Sequence, residues 1–115
     1  MTVEDPDSID QITASEDGSS YTLVMVETRS FSGSEEQNDQ ILDKINLYLE
    51  VIQTGQLLEQ FPDMRGKEVK VRLVCMDEPD DPPLVELLTS GAGLFAKHGV
   101  DFAVEVVPRE FIERN

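Results

Sequence analysis

The chain has one cysteine, one histidine, no tryptophan and only nine lysines and arginines among its 115 residues. A single cysteine excludes an intrachain disulfide and a metal–thiolate cluster, and it fits a reducing compartment. The basic residues are scattered and stand against 24 acidic ones, for a formal charge of −15. That balance opposes binding to DNA, RNA or an anionic membrane face, because phosphate recognition needs clusters of lysine and arginine. No apolar run approaches the ~20 residues of a membrane-spanning helix. The start, Met1 to Asp7, is acidic and lacks the charged-then-apolar plan of a signal peptide. The expected location is the cytoplasm. An acidic surface of this kind has three readings: solubility alone, which is the default, a basic partner, or adaptation to high salt.

What is present is the pattern of one α/β domain over residues 1–115, with a polar lead-in over 1–7 and a tail or short helix over 108–115. The stretch from Ser34 to Pro62 organises it. Ser34 is an N-cap, with Gln37 three residues on completing a capping box. Glu35 and Glu36 suit the positive helix end, and Gly55 supplies the left-handed exit. Ile41, Ile45, Tyr48, Leu49 and Ile52 follow the spacing of one buried face, and Leu42 widens it. Leu47 and Val51 form a second stripe, so the apolar arc exceeds the ~100° of an ordinary surface helix. Either Leu57, Leu58, Phe61 or the C-terminal Phe111 and Ile112 fold back over this stripe, or another chain contacts it.

Strands are expected over Ile9–Thr13, Tyr21–Thr28, Lys67–Met76 and Val100–Val107, the first two forming a hairpin across Asp17-Gly18. A second helix starts at Pro82, capped by Asp81, and ends near His98-Gly99. Gly91 and Gly93 are expected to bend or split it. The order β-β-α-β-α-β predicts an α/β (α+β) two-layer sandwich. Its four-stranded mixed sheet runs 1-2-3-4, the first strand antiparallel, with two helices on one face and a short C-terminal helical turn. The bare face would show Lys70, Arg72, Val74, Met76, Ala103, Glu105 and Val107. Val74, Met76 and Val107, with Val24 or Val26, would make an apolar patch there, covered by the tail or by a second chain.

Little chemistry is written in the residues. Asp77, Glu78, Asp80 and Asp81 follow a parallel strand, where α/β sheets place their sites, and hard cations want oxygen ligands. Their spacing is not that of a calcium loop, and the prolines stiffen it. The cluster reads as a solvated loop and helix cap, with no metal or cofactor assigned. Cys75 and His98 fall at opposite ends of a strand–helix unit, too far apart for a nucleophile–base pair. Gly91-Ala92-Gly93 lies inside a helical pattern and is no phosphate loop.

Asp5-Pro6-Asp7 with Ile9-Asp10-Gln11-Ile12, then Lys44-Ile45-Asn46-Leu47-Tyr48-Leu49 leading to Ile52-Gln53-Thr54-Gly55, then Phe61-Pro62 and Gly66-Lys67, together resemble a family of small bacterial proteins of unknown function. The resemblance implies a compact bacterial cytoplasmic domain and no particular activity. The expected role is a non-catalytic protein–protein interaction module or a homodimer, with Leu47, Val51, Val74, Met76 and Val107 as interface candidates. One form of it is an acidic neutralising partner of a basic toxin or nuclease. The alternative is a small-ligand-binding protein or enzyme with its site at the C-terminal strand ends, around residues 75–81 and the Arg29–Gly33 loop.

Overall fold

A computed structural model describes residues 9–31 and 34–107. The elements are β1 (Gln11–Ala14), β2 (Ser20–Glu27), α1 (Glu35–Gln53), α2 (Gln56–Gln60), a 3-10 turn (Pro62–Met64), β3 (Glu68–Cys75), α3 (Pro82–Lys97) and β4 (Asp101–Val106). The sheet order is β1-β2-β3-β4. β1 runs antiparallel to β2, and the other pairs are parallel. This is the expected mixed four-stranded arrangement. The expected C-terminal helical turn, with Phe111 and Ile112, lies outside the described residues, as does the lead-in.

Register sorts the strand residues into two faces. Ile12, Leu23, Val71 and Phe102 form one cross-strand row, and Met25, Leu73 and Val104 the next. These residues share one core with Ile41, Ile45 and Leu49 of α1 and Leu84, Leu88 and Phe95 of α3. Each such large side chain, taken fully out of water, contributes about 1.5–3 kcal/mol. Phe95 and Phe102 stack with centroids 5.4 Å apart, which fastens α3 to β4. The other face carries Thr22, Val24 and Val26, then Lys70, Arg72 and Val74, then Ala103 and Glu105. Arg72 reaches along it to Asp101, with Nη2 2.8 Å from Oδ2.

α1 begins as its sequence dictates, with Ser34 Oγ accepting the Gln37 N–H (3.2 Å), and Gly55 takes φ 78° at the exit. Three local expectations need correction. Leu42 is exposed, not part of the buried face. Asp81 occupies the N-cap of α3 but makes no side-chain capping bond. α3 neither bends apart nor splits at its glycines. A Cβ on Gly91 would lie 3.2 Å from Ile45 Cδ1, so this glycine lets α3 pack closely on α1. Tertiary packing offsets the weak local propensity.

The Leu47–Val51 stripe is drawn into the single chain. Val51 is buried and Leu47 half-buried, in the cluster that also holds Leu57 and Leu58. Phe61 is exposed. Val74, Met76 and Val107 are half-buried.

Candidate functional site

The least expected feature is a buried ion pair. Lys44 Nζ sits 2.7 Å from Asp10 Oδ1, and both side chains are fully excluded from solvent. α1 delivers Lys44 because Ile41, Lys44, Tyr48 and Val51 recur at helical spacing along one buried row. Lys44 is the only cation of that helix, and it lies among apolar neighbours, so it needs an anion within reach. Asp10 provides one immediately before the first strand begins. The expected strand began at Ile9, but β1 begins at Gln11. Asp10 leaves the ladder because side chains satisfy its polar groups. Its N–H donates to Tyr48 Oη (3.0 Å), and its Oδ2 accepts the Val26 N–H (2.9 Å). Tyr48 Oη in turn donates to Val24 O (2.7 Å). The Asp10 carboxylate thus takes a β2 N–H just beyond the end of the β1–β2 ladder, and the phenol links Asp10 to Val24. Burial, and behind it the Asp10 carboxylate, push the phenol's pKa well above its ordinary range. The arrangement joins the Ile9–Ile12 segment to the Lys44–Leu49 segment.

At the C-terminal ends of β2 and β3 lies a second polar cluster. Glu27 is buried and takes the Arg29 guanidinium in a fork, Nε at 2.9 Å and Nη2 at 2.8 Å. Arg29 Nη2 also donates to Gln40 Oε1 (2.7 Å), and Gln37 Nε2 to Ser30 O (3.2 Å). These bonds tie the β2–α1 connection to α1. Cys75 is buried beside Glu27 on the neighbouring strand. Burial first, then the charges of Asp77 and Glu27, push its thiol up to about 11. At neutral pH it is a protonated thiol, its Sγ 3.2 Å from Asp77 O. His98 lies at the other end of β3, beside Gly66 to Val69. Seven strand steps of ~3.3 Å separate Glu68 from Cys75. His98 Nε2 instead meets Gln53 Nε2 at 2.9 Å. In the acidic loop Asp77, Glu78 and Asp80 are exposed and Asp81 half-buried. Among the described residues no three His, Cys, Asp or Glu side chains are grouped to hold a metal ion.

The third feature is a groove of about 400 Å³ between α3 and β4. Val85, Leu88 and Ala92 of α3 line one wall, and Phe102, Val104 and Val106 of β4 the other. Among the described lining residues Glu78 is the one that is charged. Val85 and Val106 are exposed at 41% and 47%, and Leu94 on the same helix at 44%. β4 is an edge strand. Its Val107 N–H donates to Cys75 O (2.8 Å). By alternation Asp101, Ala103 and Glu105 turn their backbone groups to β3, and Phe102, Val104 and Val106 turn theirs to the open edge. Sequence reasoning missed both this groove and the buried pair. The signals available were valines and a leucine off the buried helix and strand rows, and a lone lysine on an apolar one.

No helix among the described residues is long and apolar enough to cross a membrane. No curated protein and no solved structure matches the chain. A family model does match, over residues 1–108, and the chain belongs to that family of unknown function, DUF6572.

Proposed function

We propose that this chain is a non-catalytic protein-interaction domain that receives its partner along the α3/β4 edge. The observation that carries the reading is the apolar groove lying directly beside a strand edge that no other described strand pairs. Edge strands in stable monomers are kept short or blunted by lysine, proline or a covering element. β1, the other edge, is only four residues long. β4 has six residues, no lysine and no proline, and its wall of the groove stays partly open. The groove is large enough for a small molecule. Among its described lining residues, however, only Glu78 and Thr89 offer side-chain polar groups, few to fix the orientation of a small molecule. An added strand needs none, because the backbone supplies its hydrogen bonds.

Selection from a random twelve-residue peptide display library against the full chain tests this. Enriched peptides should lose binding to Val85→Glu and to Val106→Glu, both exposed positions where the fold tolerates charge. Enrichment insensitive to both changes would place the contact elsewhere. A selection that yields no binder would count against an interaction role at this edge.

A further inference from the structure

We infer that the occupant of the β4 edge is an extended basic segment, alternating lysine or arginine with apolar residues, added as a fifth strand; this rests on the interaction reading above. The geometry gives the pattern. An incoming strand hydrogen-bonds to the outward backbone groups of Phe102, Val104 and Val106. Its side chains opposite those three point to the helix-covered face, into the groove walled by Val85, Leu88 and Ala92. Apolar residues belong at these positions. The intervening side chains lie on the bare face, opposite Asp101, Ala103 and Glu105. Asp101 already meets Arg72, whereas Glu105 is exposed, and Glu78 stands at the groove. None of the described lining residues is basic. A cation on the incoming strand is therefore favoured opposite Glu105, and Glu78 adds a further negative charge at this edge.

A second copy fits this edge poorly. Two antiparallel registers would pair five residues of β4 with themselves. One sets Asp101 opposite Glu105 of the second copy twice, and the other sets the two Glu105 side chains diagonal on one face. Like charges in such positions are destabilising. The whole-chain charge of −15 adds a general repulsion between copies, and it attracts a basic segment from a distance.

The test is fluorescence anisotropy with a labelled acetyl-Gly-Lys-Val-Lys-Val-Lys-Val-Gly-amide probe and its counterpart bearing Glu for every Lys. At about 50 mM salt the lysine peptide should bind at least about tenfold tighter than the glutamate peptide, and the difference should shrink as salt screens it. Glu105→Lys should weaken the lysine peptide about fivefold. Val106→Pro should abolish binding, since it removes an outward N–H and leaves the β3–β4 ladder intact. Equal binding of both peptides, or no response to Glu105→Lys, would overturn the basic assignment while leaving the interaction reading in place. Light scattering that shows a dimer broken by Val106→Pro would overturn it in favour of a second copy. Failure of both peptides with no self-association would overturn both readings.

Discussion

Lys44→Met is the most informative perturbation of the fold. The substitution nearly preserves side-chain volume and removes only the charge, so no large cavity complicates it. It leaves the Asp10 carboxylate in a site with no access to water, holding one backbone N–H from Val26. Stranding one member of a buried pair costs about 3–5 kcal/mol, against a total of roughly 5–15 kcal/mol for a domain. At this size the loss lowers Tm by roughly 10–20 °C. Asp10→Asn alone removes the carboxylate charge 2.7 Å from the Lys44 ammonium and should also destabilise by more than about 1 kcal/mol, although Asn can still accept the Val26 N–H. The double variant Asp10→Asn/Lys44→Met removes both charges of this pair. It should recover to within about 2 kcal/mol of the parent, since removing both charges together is often neutral. Urea unfolding followed by circular dichroism gives all four stabilities, and the coupling should exceed about 2 kcal/mol. Single variants that each lose under about 1 kcal/mol, or a double variant equal to the sum of the singles, would refute the argument that these charges are desolvated together.

Tyr48→Phe keeps the ring, orphans the Asp10 N–H and removes one of the donors to the Val24 carbonyl, so urea unfolding should show a loss of about 1–3 kcal/mol. Gly93 has open space around its Cα, so Gly93→Ala should stabilise by about 0.5–1 kcal/mol in a thermal melt; Gly91→Ala should gain less or lose, because its Cβ meets Ile45. Hydrogen bonds from the Ser19 side chain, the Ser19 backbone and the Ser15 side chain hold Asp17 down at about 2, from 3.8. The stability it lends the hairpin is complete above 3.8 and is lost as pH falls through 2. A carboxyl NMR titration should show that midpoint, and Ser19→Ala should raise it. Cys75, with its thiol near 11, should react with iodoacetamide at pH 8 at least about a hundredfold more slowly in the native chain than in urea; comparable rates would show the sulfur to be accessible.

Much of this architecture is legible in the residues, because alternation in Val69-Lys70-Val71-Arg72-Leu73 and the Ser34-to-Gly55 punctuation are strong, local signals. Strand order followed because short connections leave few alternatives to neighbours in sequence pairing in space. The buried pair was not legible, for a physical reason. Helical patterning assigns lysine to water, and only a partner 34 residues away makes Lys44 a core residue. Val51 was read as part of a spare stripe, yet it lies seven residues from Lys44 and so on the same row. The groove escaped notice because openness at β4 depends on which strand ends the sheet and how far α3 extends over it. Neither can be read from Val85 or Val106 alone.

The Asp10–Lys44 contact also acts as a ruler. β1 pairs with β2 over four residues, too few for its ladder bonds alone to choose an alignment. A slip of one residue would turn Ile12 out of the core, so the pleat forbids it. A slip of two keeps every side chain on its proper face and costs little in hydrophobic terms. That slip carries Asp10 about 7 Å along the sheet, out of reach of an ammonium that has no water to fall back on. Of the two alignments that the greasy pattern permits, the charges admit one. The hairpin is thus indexed by a residue of α1, and the edge of the sheet is measured from its interior.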